Sequence, residues 1–516
     1  MAQHFTSSQE VVIWMRAHVT GALTSDSRLV KPGDGFIAWP GVANDPRKFV
    51  KAALKQGAVV CLVEASGVEN FECTDARVGV YPGLQSAAGA IAAEFFGHPS
   101  KDISVVAITG TNGKTSTAWW LAQALSSLAE PNALPCAMVG TLGIGQPPSV
   151  RANDADNDGL ESIVTTGLTT PDPIRLQSAL REFVSQGHKV CALEASSIGI
   201  EEDRLNGTAI RVAVFTNLTQ DHLDYHATMH AYGQAKKRLF AWKGLRSAVI
   251  NTDDLFGADL AQSLAATSPE IDIWTVALTA NARLVARHIV ATPQGLQFEV
   301  IEDGQSMTVK SHIMGEYNVA NMLSVIASMR CLGVDLPKAI AACSQLRAVP
   351  GRMECLAGDD APLVVVDYAH TPDALQQALQ ALRPAAQQRG GDLWCVFGCG
   401  GDRDTTKRPF MGAVATAQAD KIIVTSDNPR SELPLSIIEN ILAGVSRSDR
   451  LMVQVDRALA IASAVAQANN ADVILLAGKG HEATQEIAGV KSYFSDRVHA
   501  STALRQRAQD RRSVHA

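Results

Sequence analysis

Short apolar runs that close on glycine or polar residues recur along the chain. They alternate with longer stretches whose apolar positions fall three or four residues apart. ISVVAITG, starting at Ile103, reads as a buried strand, as do KVCALEAS, AVFTNLT and SAVINTDD; QSALREFVSQG and GEYNVANMLSVIASMRCLG read as helices. Such alternation predicts a mostly parallel sheet covered by helices. A second alternation follows AVPGRMECL, where VVVDYAH, LWCVFGCGG, KIIVTSD and DVILLAGKG form four apolar strands with polar or glycine-rich ends. Three of those ends carry His, Arg or Asp, and open parallel sheets bind ligands beyond the carboxyl ends of their strands. Ahead of both, residues 1–102 mix short apolar runs with the turn signals KPGDG and WPGVANDP. The pattern predicts an α/β chain in three blocks, 1–102, 103–347 and 348–516.

With 516 residues, 46% hydrophobic and 19% charged, the chain suits several domains with substantial cores. A net charge of −7 argues against a general nucleic-acid surface, so no nucleic-acid partner is expected. No apolar run reaches the roughly 18 residues a membrane span needs. The N-terminal MAQHFTSSQEVVIWMRAHV lacks the basic-then-apolar order of a secretory signal, so a cytoplasmic protein without membrane insertion is expected. None of the nine cysteines forms a CxxC pair, and they are expected to act as small hydrophobes rather than as a zinc or disulfide framework. RANDADNDGLES, 151–162, is expected to be a surface insertion, and LRQRAQDRRSVHA a solvated helix end.

The most specific chemistry lies at Gly110-Thr111-Asn112-Gly113-Lys114-Thr115-Ser116, directly after the strand VVAIT. Ala118, Leu121, Ala122, Leu125 and Leu128 then follow at helical spacing. Strand, glycine-bracketed turn, lysine and helix N-terminus are what a phosphate loop needs: amides and an ammonium facing an anion, with the Thr115 hydroxyl placed for Mg²⁺. Two residues stand between the glycines where the usual motif has four, and an ordinary glycine turn into a helix would share the pattern.

Glu194 ends VCALEASS, and Asn217, Asp221, His222, Asp224 and His226 crowd the end of AVFTNLTQDHLDYH. Carboxylate and imidazole from two neighbouring strand ends could share a divalent ion. Singly, each has a plainer role, with Asp224 capping a helix and His226 only packing. Lys236, Lys237 and Arg238 read as a basic patch on a solvated helix face.

GTNGKT, EASS, TNLTQDHLDYH, GEYNVAN, VPGRME, VDYAHTPDAL and CGGDRD together resemble the Mur ligase family, over roughly residues 20 to 485. The resemblance implies an ATP- and Mg²⁺-dependent, amide-forming ligase with a UDP-substrate-binding domain (1–102), a central P-loop-type ATPase domain (103–347) and a C-terminal Rossmann-like domain (348–516). It implies phosphorylation of an acceptor carboxylate and attack of an amine on the acyl phosphate. Lys236 is the lysine that this family carbamylates, and Thr115, Glu194, His222 and carbamylated Lys236 would hold metal beside Lys114. Asn318 and Asn321 would meet adenine, Arg352 and Asp367 the phosphates and ribose, with His370 a weaker candidate.

The branch resembled most adds meso-2,6-diaminopimelate to UDP-MurNAc-L-Ala-D-Glu; a monomer is expected, though nothing in the sequence fixes the oligomeric state. Ser25, Ser27 and Arg28 match the uridine region with residues 42–44; Thr169, Thr170, Ser196, Glu202 and Arg204 match contacts to the muramoyl dipeptide. Ile198 departs from the histidine common after the paired serines, and Glu202 stands where a neutral amide is common. Asp427-Asn428-Pro429-Arg430, with Arg403, Gly478 and Glu482, would receive diaminopimelate, whose distal carboxylate suits a planar guanidinium. Without the resemblance, DNPR would suit a helix start. A lysine-adding relative explains everything but Arg430. A slow nucleotide switch explains only the phosphate loop.

Overall fold

Val105 to Thr109 are all buried in the strand Ser104–Thr109, which lies inside an eleven-stranded sheet with helices on both faces. The chain is seen in a computed structural model that describes residues 2–41, 44–71, 73–149, 162–292, 295–356, 360–446 and 450–515. Residues 42 and 43 of the expected uridine segment, and 151–161 of the expected insertion, lie outside the described residues. Because strand side chains alternate, Val106 and Ile108 enter one core, while Val105 and Ala107 enter the core on the opposite face.

Ser104–Thr109 pairs in parallel with Val190–Glu194 on one side and Ile210–Phe215 on the other. Ser247–Asn251, Asp272–Ala277, Leu284–Thr292 and Cys136–Gly140 extend the parallel run, and antiparallel strands finish both edges. The register sets Thr109 against Phe215 and Ile108 against Glu194, so the three following loops leave one edge together. The helix Lys114–Ser126 buries Ala118, Leu121, Ala122 and Leu125 as expected; Leu128 lies past its end, packed against the same core. Trp119 and Trp120 are buried too, so this helix is enclosed rather than amphipathic.

Two smaller sheets flank the central one. The N-terminal sheet has five parallel strands in the order Gln3–His4, Val78–Tyr81, Val60–Glu64, Gly35–Ala38, Leu23–Thr24. The C-terminal sheet contains the four expected strands, Leu363–Asp367, Leu393–Phe397, Lys421–Val424 and Val473–Ala477, with Val473–Ala477 between the first two. A hairpin, Thr484–Ile487 with Val490–Tyr493, follows, and the helix Asp496–His515 packs through Ala500, with residues 508–511 exposed. Among the described residues no helix is long and apolar enough to cross a membrane. All nine cysteines are free, and all but Cys331 and Cys355 are buried.

Candidate active site

The loop 110–115 is braced by the loop that follows Ile210–Phe215. Asn217 accepts from the Thr111 amide at 2.8 Å through its carbonyl and from the Asn112 amide at 2.9 Å through Oδ1. The Thr216 hydroxyl donates to the Asn112 carbonyl at 2.6 Å. Gly110 (φ +146°) and Gly113 (φ +86°) occupy conformations unfavourable to L side chains, and a Cβ on Gly113 would lie 2.3 Å from Asn321 Oδ1. The Lys114 ammonium folds back onto the Gly110 and Thr111 carbonyls, at 2.9 Å from each.

Glu194 is fully buried, and its carboxylate accepts from the Thr115 hydroxyl at 2.9 Å and the Thr141 amide at 2.8 Å. Lys236 is buried as well, so the expected solvated face is wrong for it: the helix Met229–Lys237 turns it inward, where its Nζ donates to the Gly110 carbonyl at 2.9 Å. Burial, and then the Lys114 charge, hold its amine well below the usual lysine range. Lys237 instead reaches Ser263. His222 adopts φ +52° with its Nε2 3.6 Å from Asp221. Burial depresses its pKa, Asp221 opposes that, and Lys114 and Lys236 add to it. His226 has the plain packing role, buried with Nε2 3.0 Å from the Ser197 hydroxyl, while Asp224 is exposed and caps no helix.

A cavity of about 290 Å³ is lined by Asn112, Gly113 and Ser116 of the loop, Asn318 and Asn321 of the helix Glu316–Cys331, and Arg352, Asp367 and His370 from the C-terminal segment. Asn321 Nδ2 donates to Asn318 Oδ1 at 3.0 Å, and both are buried. Arg352 donates to the Thr115 hydroxyl at 3.3 Å and lies over the Tyr368 ring at 4.2 Å, yet its buried Nε has no partner. Asp367 spends its two oxygens on the Met353 and Ala369 amides, at 2.7 and 2.8 Å, and so also shapes the loop that carries Arg352.

Ser25, Ser27, Arg28 and Asn44 line a second cavity, of about 600 Å³, on the N-terminal sheet. Asp172 caps the helix Pro173–Ser185, accepting from the Ile174 and Arg175 amides at 3.0 and 3.1 Å, and Ile174 enters the core of the N-terminal unit, which ties that unit to the central one. Close by, Thr170 donates to the Glu194 carbonyl at 2.7 Å, and its hydroxyl stands 3.0 Å from that of Ser196. Arg204 donates to the Thr170 carbonyl at 2.8 Å and pairs with Glu202, so Glu202 orients that arginine. The Thr169 and Thr141 hydroxyls stand 3.1 Å apart.

A third cavity, of about 450 Å³, is lined by Arg403, Asp427, Asn428, Arg430, Gly478 and Glu482 from the C-terminal unit and by Ile198 and His222 from the central one. DNPR begins no helix, contrary to its plain reading; the next one is Pro434–Leu442, with Leu433 at its cap. Pro429 is buried in the same turn but is not part of the cavity wall. Arg430 takes φ +52°, held by bonds between its amide and the Glu486 carbonyl and between the Ala488 amide and its own carbonyl. Tyr368 and His370 line both this cavity and the one at the phosphate loop.

Comparison with known proteins bears on this three-cavity arrangement. Residues 108–329 match the Mur ligase middle domain and residues 351–480 the Mur ligase glutamate ligase domain. The UDP-N-acetylmuramoyl-L-alanyl-D-glutamate–2,6-diaminopimelate ligase of Acidovorax sp. (strain JS42) is 55% identical, across 97% of this chain and 98% of its own length. The chain belongs to the Mur ligase family. A solved structure of a ligase of that same name is 36% identical, with a TM-score of 0.63 over 94% of this chain and 95% of its own. The MurF ligase of Thermotoga maritima, solved with ADP, shares the fold at 18% identity and a TM-score of 0.63, covering 95% of this chain and 99% of its own.

Mur ligases use ATP, and the residues here fit it: a phosphate loop, Arg352 and two buried asparagines line one cavity. Among the described residues no three His, Cys, Asp or Glu side chains form a metal cage. Mg²⁺ needs none, because it binds through one or two hard oxygens, such as the Thr115 hydroxyl and Glu194 carboxylate, and keeps waters and phosphate oxygens as its other ligands. In this Mur ligase the sequence reading missed Thr141, Lys479 and the supporting hairpin. Only the hairpin left a signal, the glycine of Ala488-Gly489 at its turn, where both residues take positive φ.

Between the two cavities, His370 and His481 flank the Tyr368 ring, with centroids 4.7 and 5.3 Å from it. Burial, helped by Lys407 for one and Arg352 for the other, pushes His370 down to about 4 and His481 to about 3. An unfolded chain therefore takes up protons below pH 6.5 that the folded chain refuses, so stability falls as pH drops from 6.5 towards those values. His481→Gln removes one such group. The melting-temperature advantage of wild type over this variant should shrink between pH 7 and roughly pH 4.5. A gap that stays constant or widens on acidification would contradict a neutral, buried His481.

Proposed function

We propose that the protein is an ATP-dependent ligase that adds meso-2,6-diaminopimelate to the D-glutamyl γ-carboxylate of UDP-MurNAc-L-Ala-D-Glu, a step in peptidoglycan precursor synthesis. The observation that carries this reading is the shared wall of Tyr368 and His370 between the phosphate-loop cavity and the cavity containing Arg403, Arg430 and Glu482. A carboxylate activated on one side meets an amine delivered from the other. ATP with Mg²⁺ supplies the phosphoryl group that activates the carboxylate; the amine then forms the amide and phosphate leaves.

The chain's own residues position and neutralise. Lys114 and Arg352 offset the charge of phosphates and carboxylate, which otherwise repel one another. Thr115 and Glu194 supply oxygens for metal, with His222 and carbamylated Lys236 completing the set. Asn318 and Asn321 hold the base. Ser25, Ser27 and Arg28 take the uridine end, and Thr170, Ser196 and Arg204 the dipeptide. Arg403 and Arg430 face the distal carboxylate of diaminopimelate, and Glu482 its distal ammonium. Arg352 reaches Thr115 and Asp373 reaches Asn112, at 3.3 and 3.2 Å, so C-terminal groups close the phosphate loop and shield the activated acyl group from water. A monomer working in the cytoplasm, where ATP is supplied, fits this reading.

The test is phosphate release from ATP and Mg²⁺ with UDP-MurNAc-L-Ala-D-Glu, with meso-diaminopimelate or L-lysine in parallel. Release that requires diaminopimelate is expected. Release with lysine alone would keep the ligase and reject the role of Arg430. Release that needs neither would reject the ligase in favour of a nucleotide switch.

A further inference from the structure

Lys479 is completely buried behind the third cavity and belongs to none of the roles above. Its Nζ donates to Glu482 Oε2 at 3.0 Å, to Asn428 Oδ1 at 3.2 Å and to the Thr484 carbonyl at 2.7 Å. Asn428 Nδ2 donates to the same Glu482 oxygen at 2.7 Å, and the Glu486 amide donates to Asn428 Oδ1 at 3.1 Å. One ammonium thus links the two cavity side chains to each other and to the first strand of the hairpin. That hairpin in turn holds the DNPR turn: Gln485 Nε2 donates to the Asp427 carbonyl at 2.7 Å, and the Arg430 amide to the Glu486 carbonyl at 3.0 Å.

The arrangement has an electrostatic consequence. Glu482 is the carboxylate facing the far end of the incoming amino acid, and Lys479 already balances its charge from behind. With that pair neutral, Arg403 and Arg430 remain on the cavity wall as cations that favour a group carrying a carboxylate beside its ammonium. Without Lys479, the half-buried Glu482 would present an unbalanced negative charge to the cavity. A bare distal ammonium would then gain, and a distal carboxylate would lose.

We propose that Lys479 is a positioning residue that sets the preference for a distal zwitterion over a bare ammonium, by neutralising Glu482 and fixing its orientation together with that of Asn428. This rests on the diaminopimelate reading of the cavity. The experiment measures kcat/KM for meso-diaminopimelate and for L-lysine in wild type, Lys479→Met, and the double variant Lys479→Met/Glu482→Gln, with KM for ATP alongside. Loss of one charge-assisted bond predicts that Lys479→Met lowers the diaminopimelate-to-lysine ratio about tenfold or more, with KM for ATP unchanged.

The double variant restores a neutral pair and leaves no unpaired charge, so it stays testable if the single variant folds poorly. Its ratio should return towards wild type even though both rates fall. Equal losses for the two amino acids in Lys479→Met, with the ratio intact, would make Lys479 a purely structural residue and overturn the proposal. So would a double variant whose ratio stays low. A wild type that does not prefer diaminopimelate would instead refute the functional reading itself, before any variant is compared.

Discussion

Lys236→Ala should lose turnover by about a hundredfold to a thousandfold, the usual cost of removing one preorganised electrostatic group from a reacting centre. The variant should fold, because the Gly110 carbonyl that Lys236 serves also accepts from Lys114 at 2.9 Å. The stronger expectation concerns rescue. Burial, and then repulsion by the Lys114 charge on the same carbonyl, lower the Lys236 pKa well below the usual lysine range and so favour its neutral amine. A neutral amine is the form that captures CO₂. The resulting carbamate would turn repulsion into attraction towards Lys114 and bound metal. Acetate or formate added to Lys236→Ala should therefore restore part of the activity, and methylamine should not. Rescue by the amine alone would mean that Lys236 acts as a cation, and full activity without any additive would remove it from the mechanism.

Arg430→Ala should lower kcat/KM for diaminopimelate roughly a hundredfold while leaving KM for ATP in place, since a guanidinium–carboxylate pair contributes two charge-assisted hydrogen bonds. The substitution tests the side chain rather than the turn. Arg430 already holds φ +52°, a conformation alanine adopts with no greater strain, and its backbone bonds to Glu486 and Ala488 remain, while the bond from its Nη1 to the Gly401 carbonyl at 2.7 Å goes with the side chain. Arg430→Lys keeps the charge but loses the planar fork, so it should recover only a small part of the loss. Steady-state kinetics with each substrate varied in turn decides the matter. Equal effects on all three substrates would show that the loop had collapsed, and an unchanged diaminopimelate response would move the carboxylate site elsewhere in the cavity.

The linear pattern determined the local elements and the phosphate chemistry of this protein. Apolar runs marked the parallel strands because a strand covered on both faces has no polar side to show. Strand, glycines, lysine and helix lie within a dozen residues around Gly110, so the phosphate loop needs no distant partner to be recognised. DNPR was singled out only through its resemblance to relatives; read alone it looked like a helix start, and what holds it is a hairpin more than fifty residues later in the chain. Only the tertiary structure turned Lys236 inward, because burial depends on the helix face that meets Gly110, and a run of Lys-Lys-Arg looks solvated from any local window. It also revealed Lys479, whose place behind Glu482 and Asn428 comes from parallel strand ends brought level by register. Charge balance in a cavity is a sum over side chains from several strands, so the sequence could name the groups facing the substrate but not the one that neutralises them.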